Sequence, residues 1–351
     1  MSGSVSVVVP TWNRAHLLAR ALDSVIAQLE PGDEVIVADD GSTDRTAALL
    51  AGYGPPVRHL RLVHAGAGAA RNAAWRVARG PLVAFLDSDD RWLPGKLALQ
   101  RALLGSRPDL VACFSDFRTA TIEGSERAGG LAGWIGAPPA GFAREVAAAR
   151  FLGELLPGGP WDPATRVTIG DFALAALRAT IVNIGTLLVR KDRVGEELGC
   201  AEDLPTYEEL PAVARILGAG PAAFVEAETL VQHDHPGPRL TGANLIVRAR
   251  ARIAVLERAY LTDRAFVERY GDELAARLRA ERIGLVRLLL AEGANAEARS
   301  VLARIAEPPA GLALVASLPG SAVARIVRAR DHARGLARKA AAILPWLPPL
   351  W

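Results

Sequence analysis

The chain has few cysteines and no long apolar run, and each absence excludes a class of protein. Cys113 and Cys200 are its only cysteines, which excludes a disulfide framework and a cysteine-based zinc site and favours a reduced setting. The nearest approach to a membrane-spanning run is 308–324, and three prolines and two glycines interrupt it. A strand pattern begins by Val5, so we expect no signal peptide and a cytoplasmic protein.

The net charge of the chain is also small. The formal net charge is only +3, although the pI is about 9.1, and charged residues make up 23% of the chain. So small an excess of positive charge gives no indication of nucleic-acid binding. Hydrophobic residues account for 50% of the 351 positions, which is enough for a large core and two structural parts.

Strand and helix patterns alternate over the first hundred residues. Apolar runs typical of strands occur at 5–9, 34–38, 57–63 and 81–86. Helical patterns separate them at 15–28, at 43–51 with Ser42 as the expected N-cap, and in an alanine-rich stretch to about 78 that follows a small-residue loop at 64–72. This order predicts an α/β fold with a mainly parallel, doubly wound sheet.

Polar side chains collect where three of these strands end. The clusters are residues 11–14, the pair Asp39 and Asp40, and residues 87–90. Ligands of doubly wound sheets bind at the carboxyl ends of the strands. The three clusters therefore predict one shared site.

The acidic cluster at 87–90 suggests a metal ion. Burying Asp87, Asp89 and Asp90 together costs free energy because like charges repel. A hard divalent cation, Mg²⁺ or Mn²⁺, removes that cost and also binds the phosphates of a nucleotide. The alternative is a polar turn in which Asp90 caps the next helix.

The middle of the chain is less regular. Residues 119–170 are rich in Gly, Pro and Ala and predict a long, partly helical excursion over the sheet edge, of the kind that forms binding loops. Later strands are predicted at 181–190 and 222–231, with a helix between them that Glu208 and Glu209 open.

The sequence changes character after about residue 242, which predicts a domain over 1–242 and a helical region over 243–351. The tail at 321–351 has six basic residues against Asp331 and ends in an apolar segment with two tryptophans. Such a tail is suited to peripheral contact with the inner face of an anionic membrane. A tail packed on the helices, or a disordered end, is the alternative.

Four motifs occur in order along the chain: VSVVVPTWNR, VIVADDGSTD, AGAARNAAW and VAFLDSDD. Together they resemble the family 2 glycosyltransferases, whose nucleotide-sugar-binding fold is called GT-A. The resemblance is strong over 5–105, moderate over 181–241 and absent after that. It implies an inverting, metal-assisted transfer of a sugar from a nucleotide-diphosphate sugar, with a UDP-sugar favoured, to a hydroxyl group. A glycan, a lipid-linked acceptor and a protein acceptor all remain open.

The resemblance also implies roles for individual residues. Those expected to bind the nucleotide sugar are Pro10, Thr11 and Asn13 at the base, Asp39 and Asp40 at the base or ribose, Arg71 at the diphosphate, and Asp87 with Ser88. Asp89 is the first choice for the metal ligand, with Asp87 and His235 as further ligands. A surface ion pair for Arg71 and a turn position for His235 are the structural alternatives.

The general base is implied less directly. An inverting transfer needs a carboxylate that takes the proton of the acceptor hydroxyl, and the family uses the aspartate of a Glu-Asp pair that opens a helix. Here the matching pair is Glu208-Glu209, so Glu209 stands where aspartate is expected and is longer by one methylene. Glu202 with Asp203, and Asp171, are other candidates. Two exposed acids favoured by the helix dipole are the structural alternative.

Three other functions are weighed against transfer. The departure at Glu209 leaves open a catalytically impaired module that binds sugar nucleotides. A nucleotidyltransferase is less favoured, because it normally has a glycine-rich, basic loop directly after the first strand. A dinucleotide-dependent oxidoreductase is disfavoured because residues 10–14 lack glycines for the approach of a pyrophosphate.

Overall fold

The structure is a computed structural model that describes residues 3–136, 139–235, 244–318 and Ala322. The described residues group into two compact units. The first lies within Met1–Gly242 and also takes in Glu257–Tyr270, and the second lies within Ala243–Leu256 and Gly271–Trp351. As functional domains, 1–242 and 243–351 remain a prediction.

The strands of the described chain are all in the first unit. They are β1 Val5–Thr11, β2 Glu34–Asp39, β3 Val57–Arg61, β4 Leu82–Phe85, β5 Arg91–Trp92, β6 Ala112–Ala120, β7 Glu126–Arg127, β8 Arg150–Phe151, β9 Arg166–Gly170, β10 Leu188–Arg190 and β11 Ala222–His233.

The helices of the described chain continue into the second unit. They are α1 Ala15–Ile26, α2 Thr46–Leu50, α3 Ala67–Val77, α4 Lys96–Ser106, α5 Gly130–Ile135, α6 Ala140–Val146, α7 Leu152–Leu155, α8 Ala173–Arg178, α9 Lys191–Val194, α10 Leu210–Gly218, α11 Leu245–Val255, α12 Arg264–Ala291, α13 Asn295–Leu302 and α14 Ala310–Ser317.

The sheet runs in the order β3-β2-β1-β4-β10-β6-β11-β9-β8. The half made of β3, β2, β1 and β4 is parallel, β10 is antiparallel to both of its neighbours, and β11 is again parallel to β6. The carboxyl ends of β1, β2, β4, β6 and β11 therefore share one edge. The prediction of an α/β fold with a mostly parallel sheet and a helical C-terminal region is confirmed.

Burial on both faces explains the apolar runs in the central strands. Every residue of β1 and of β2 is buried, and the apolar face of α1, with Leu18, Leu22 and Val25 at 0% exposure, packs into the same core. Such strands need helices on both sides of the sheet. The connections between strands therefore fall at the two ends of the sheet, where polar residues reach solvent.

Several local predictions were wrong. Ser42 does not cap a helix, because α2 begins only at Thr46 and the Ser42 hydroxyl accepts a hydrogen bond from the Asn13 amide at 2.9 Å. The small-residue loop is short, since α3 already begins at Ala67. The alternative in which Asp90 caps the next helix is also wrong, since Gly95 occupies that position in a left-handed conformation.

The strand predicted at 181–190 forms only in part. Only Leu188–Arg190 is a strand, and a short 3-10 helix occupies Ile184–Thr186. The excursion at 119–170 contains short helices, as predicted, but it also contributes β9, which pairs antiparallel with β11. The alternation of polar and apolar residues in β9 is only five residues long and lies in a stretch rich in Gly, Pro and Ala.

The second unit is helical, and a short connection over 292–294 joins α12 to α13. Glu281, which is 9% exposed, accepts hydrogen bonds from Arg252 and Arg277, each at 2.9 Å. None of the described helices has the length and apolarity to cross a membrane. The basic tail at 321–351, for which we predicted membrane contact, lies outside the described residues except for Ala322.

Lys96 is an unusual member of the core of the first unit. Its side chain is 1% exposed, and its Nζ donates to Gln100 Oε1 at 2.7 Å and to the Leu187 carbonyl at 3.3 Å. The same Nζ lies 4.3 Å from the centroid of the Trp92 ring. Burial lowers the pKa of Lys96 to about 7, because the charged form loses its hydration.

A pH-dependent stability follows from this burial. The pKa of an unfolded lysine is about 10.4, so between that value and the native pKa of about 7 the unfolded chain binds more protons. Stability therefore rises with pH over this interval. We expect the Tm of the wild type, measured by calorimetry, to rise relative to that of Lys96→Met as the pH goes from about 7 to about 10. The buried, non-titrating change Leu103→Met is the control, and parallel Tm profiles for wild type and Lys96→Met would contradict the prediction.

Candidate active site

The loops after β1 and β2 are tied together by Asn13. This residue adopts φ +53°, in the left-handed region that asparagine tolerates. Its Oδ1 accepts from the amides of Thr43 at 2.8 Å and Asp44 at 3.2 Å, while its own amide donates to the Ser42 hydroxyl. Asn13 was predicted to line a base pocket, and the structure shows it fixing the two loops that border such a pocket.

Asp39 is completely buried and has only internal partners. Its Oδ1 accepts from the Ser42 amide at 2.8 Å, and its Oδ2 lies 3.1 Å from Nε2 of His59. The residue is 0% exposed, and its assignment to the base or ribose stays a prediction. The structure therefore gives Asp39 a part in shaping the loop after β2.

Asp40 holds the loop that leads into α3. Its Oδ1 accepts from the Ala65 amide, and its Oδ2 accepts from the Gly66 amide and contacts Nδ1 of His64, all at 2.8 Å. The residue is only 2% exposed. The carboxylate that the resemblance assigns to the base or ribose is thus placed beneath this loop.

An exposed aromatic pair lies above Asp40. The rings of Trp12 and His64 stack with centroids 4.4 Å apart and an interplanar angle of 17°. Trp12 is 46% exposed, whereas Pro10 and Thr11 before it are buried. Sequence reasoning missed this pair, although an aromatic residue next to the predicted base-pocket positions was a usable signal.

Arg71, on α3, joins two distant parts of the chain. It is 3% exposed, and it donates from Nη2 to Asp87 Oδ1 at 2.6 Å and from Nη1 to Glu208 Oε1 at 2.9 Å. Burial alone lowers the pKa of Arg71, but the carboxylates of Asp87 and Glu208 outweigh it and hold the pKa well above the ordinary value. The guanidinium is therefore a fixed cation at the carboxyl edge of β4.

Glu209 lies next to this ion pair, directly before α10. Burial, and then the negative charge of Glu208, raise the pKa of Glu209 to about 7. The neighbouring helix approaches closely, because a Cβ on Gly68 would lie 2.5 Å from the Ala201 carbonyl oxygen and 3.4 Å from Cβ of Glu208. The absence of a side chain at Gly68 therefore lets α3 lie against the loop that carries both glutamates.

The end of the acidic cluster is connected to the end of β11. His235, which is 7% exposed, has Nε2 at 3.0 Å from Asp89 Oδ2, and Arg14 Nη1 donates to its Nδ1 at 3.0 Å. Asp90 Oδ1 accepts from the His233 amide at 3.0 Å. Burial, followed by the charges of Asp89 and Asp87, raises the pKa of Asp90 well above its ordinary value.

The predicted metal ligands are only partly brought together. Asp89 and His235 are in contact, whereas Asp87 is paired with Arg71, and Ser88 is buried in the turn between them. Among the described residues no group of three or more His, Cys, Asp or Glu side chains is arranged to hold a metal ion. A carboxylate oxygen and an imidazole nitrogen do fit Mn²⁺ or Mg²⁺ when phosphate and water complete the shell.

The other candidates for the base are engaged elsewhere. Asp203 makes a bidentate pair with Arg258, and Asp171 pairs with Arg269 at 2.6 Å. Glu202 accepts a hydrogen bond from Asn72 at 2.8 Å. These contacts give all three acids structural partners, and Glu209 keeps the position next to Arg71.

Solved structures share the fold. The mannosyltransferase PcManGT from Pyrobaculum calidifontis, solved with GDP-Man and Mn²⁺, has a TM-score of 0.52 at 20% identity, over 93% of this chain and 85% of its own. Residues 1–349 of S. aureus TarS give a TM-score of 0.51 at 16% identity, over 82% of this chain and 80% of its own. At such identities the likeness shows the fold alone, which is the GT-A fold of glycosyltransferases.

Sequence comparison gives a match to a family model and to named glycosyltransferases. Residues 6–132 match the model of glycosyl transferase family 2. The uncharacterized glycosyltransferase alr2836 of Nostoc sp. is 39% identical over 97 residues, 26% of this chain and 30% of its own length. The E. coli UDP-Glc:alpha-D-GlcNAc-diphosphoundecaprenol beta-1,3-glucosyltransferase WfgD is 35% identical over 102 residues, 28% of this chain and 40% of its own length. The chain thus spans less than half the length of these relatives.

The close approach at Gly68 predicts a stability difference between two glycines in helices. Alanine in a helix interior is favoured over glycine by roughly 0.5–1 kcal/mol, and a Cβ on Gly105 of α4 would meet nothing within 4 Å. We expect Gly105→Ala to raise the Tm. Gly68→Ala should lower it, because the methyl group pushes the 201–208 loop away from α3. A thermal melt of each variant checks this, and a raised Tm for Gly68→Ala would show that the loop yields without cost.

Proposed function

We propose that the protein transfers a sugar from a nucleotide-diphosphate sugar to a hydroxyl acceptor, with inversion and with the help of a divalent metal ion. The observation that carries the proposal is the position of Arg71. It joins Asp87, at the end of β4, to Glu208, beside Glu209. A cation for a diphosphate and a carboxylate for proton removal are thereby held next to each other.

The donor would lie along the carboxyl edge of the sheet. The exposed ring of Trp12 offers a stacking surface for a nucleobase, which is a sequence-tolerant contact. Arg71 suits the diphosphate, because a guanidinium donates two parallel hydrogen bonds to phosphate oxygens. S. aureus TarS has been solved with UDP and with UDP-GlcNAc, which supports a UDP-sugar.

A metal ion would be held by Asp89 and His235, whose ligand atoms are 3.0 Å apart. When bound, such an ion offsets the charge that develops on the departing nucleoside diphosphate. Arg14 donates to Nδ1 of His235, so the proton of the neutral ring lies on Nε2 and would have to leave before that nitrogen binds a metal ion.

Glu209 would remove the proton from the acceptor hydroxyl. A pKa of about 7 suits this task, because a base works best when its pKa is close to the working pH. Direct attack by the activated hydroxyl on the face opposite the nucleotide inverts the anomeric carbon. Glutamate is longer than aspartate by one methylene, and its ionised carboxylate can take up a proton in the same way.

The acceptor class follows less directly from the structure. WfgD acts on a lipid-linked sugar by its name, and this supports a glycan or lipid-linked acceptor here. The proposal also includes a protein acceptor. Nothing in the described site favours a nucleotidyltransferase, because the loop after β1 carries Trp12 and Asn13 where such enzymes have glycines and cations.

A donor screen tests the proposal. Release of nucleoside diphosphate is measured for UDP-, GDP- and dTDP-sugars, with Mn²⁺ and with EDTA. We expect Glu209→Gln to lower turnover roughly 10²- to 10⁴-fold, the range for a lost general base, while the Kd for the nucleotide stays unchanged. Asp203→Asn, which alters an acid paired with Arg258, is the matched control and should retain activity. Binding of nucleotide without any turnover by the wild type would point to the impaired binding module.

The pH profile gives a second test. Only the ionised form of Glu209 accepts a proton, so kcat/KM should rise with pH through about 7, the pKa of that carboxyl. Replacing Glu208 by glutamine removes a negative charge that raises this pKa, so the acid limb should move to lower pH. The carboxamide still accepts a hydrogen bond from Arg71. An acid limb that stays in place in Glu208→Gln would rule out Glu209 as the titrating base.

A further inference from the structure

Asn72 is a buried polar residue on α3 that has no part in the function proposed above. It is 4% exposed and directly follows Arg71 in the chain. Its Oδ1 accepts from the Cys200 amide and its Nδ2 donates to the Cys200 carbonyl, both at 3.0 Å. Nδ2 also donates to Glu202 Oε1 at 2.8 Å. The two bonds to the backbone of Cys200, which we call the Asn72 clasp, use one donor and the acceptor of the side-chain amide.

The hold of this side chain on the loop extends to the glutamate pair. The amide of Ala201, directly after the clasped residue, donates to the Glu208 carbonyl at 2.8 Å. The two ends of the stretch 201–208 are therefore joined, and the first end is fixed to α3. Because Glu209 follows the other end directly, a displacement of the clasped end also moves the carboxylate of Glu209.

The backbone of the loop is strained where the glutamates begin. Tyr207 has φ +60°, in the left-handed region that a bulky side chain rarely adopts. Such a conformation persists only when the surrounding structure imposes it. The Asn72 clasp and the pair of Glu208 with Arg71 are two constraints of this kind. Without the clasp, the chain can relax at Tyr207, and Glu209 then leaves its place.

We propose that Asn72 is a positioning residue for the general base, which keeps Glu209 in place by fixing the backbone of Cys200. The inference rests on the proposed function, because it takes Glu209 as the base. Both donor hydrogens of the Asn72 amide are used within the protein, so the residue acts through the loop. Its neighbour Arg71 supplies charge, whereas Asn72 supplies only the geometry of the backbone.

A double-mutant cycle on turnover tests this role. Release of nucleoside diphosphate is measured with the full chain and the donor found in the screen above. Asn72→Ala should lower kcat roughly 10- to 10²-fold, since a displacement of about 1 Å has an effect of this size, while the Kd for the nucleotide stays unchanged. In Glu209→Gln there is no base to displace, so the same change should alter kcat by less than about twofold. A residue that only stabilises the fold would lower turnover by the same factor in both backgrounds.

The pH profile is an independent readout. The charged and titratable groups that interact with Glu209 come from its own loop, from α3 and from the end of β4, and they are Glu208, Cys200, Arg71 and Asp87. Burial is the largest cause of the raised pKa of Glu209, so a loosened loop that admits water lowers this pKa. The acid limb of kcat/KM should therefore move below about 7 in Asn72→Ala, although kcat falls. A smaller folded fraction would reduce the height of the profile without moving its midpoint.

A second variant and a control complete the design. Asn72→Asp has the same shape and still accepts from the Cys200 amide, but its ionised side chain cannot donate to the Cys200 carbonyl. Its loss of turnover should likewise vanish in Glu209→Gln. Asn244→Ala is the matched control, because Asn244 also binds a backbone amide, that of Ile246 at 2.7 Å, but does so in the second unit. This control should lower the Tm and leave both kcat and the acid limb unchanged.

The outcomes separate the two proposals, with thermal melts establishing that each variant is folded. Equal losses of turnover in both backgrounds, or unchanged turnover in a folded Asn72 variant, would overturn the role of Asn72. So would an acid limb that stays in place in folded Asn72→Ala. A wild type without turnover, or a Glu209→Gln variant with full turnover, would instead overturn the proposed function.

Discussion

The site depends on one buried cation between two carboxylates. Arg71 is almost inaccessible to water, and so is its partner Glu208, with side-chain exposures of 4% and 5%. A buried guanidinium is stable only when its charge is compensated, and removing either partner leaves an expensive unpaired charge. The pairs with Asp87 and Glu208 therefore fix α3, the end of β4 and the loop before α10 in one arrangement.

Each of the other acids at this edge is compensated by its own partner or by protonation. We expected a divalent ion to relieve the crowding of carboxylates, yet in the structure each has its own means of compensation. Asp39 contacts His59, Asp40 accepts backbone amides, and Asp89 contacts His235. Asp90 is stabilised in its neutral form, as its raised pKa shows. The acids of this edge therefore have partners within the protein, and a metal ion would bind by exchanging partners with groups already engaged.

The sequence was informative where burial alone decides the structure. The runs that became β1, β2 and β4 are apolar because both faces of the sheet are covered, and they place Asp39, Asp40 and Asp87 at one edge. Local turns were harder to predict. The Ser42 hydroxyl suits either a helix N-cap or a partner on another loop, and only the tertiary structure shows that it accepts from the Asn13 amide. The stack of Trp12 on His64 joins residues 52 positions apart, beyond the reach of any periodicity.

The pairing of acids with arginine was likewise invisible in the sequence. A carboxylate at a strand end is equally suited to a metal, a ribose or an ion pair, and the choice depends on which cation the fold brings near. For Asp87 the neighbour is Arg71, while Asp203 and Asp171 meet arginines from Glu257–Tyr270. The residue types therefore predicted that acids gather at this edge of the sheet. Which cation each acid contacts became known only from the three-dimensional structure.

The span of the Arg71 contacts bears on how the chain acquires its active form. Asp87 is 16 positions from Arg71, but Glu208 is 137 positions away. A contact between residues so far apart in the chain closes a large loop. Closing that loop costs conformational entropy, which slows the formation of the contact. The segment that matches the family model ends at residue 132 and so contains the guanidinium with only one of its two counter-ions. In a chain synthesised from its N-terminus, the pair of Arg71 with Glu208 therefore forms only after residues beyond 208 have been made.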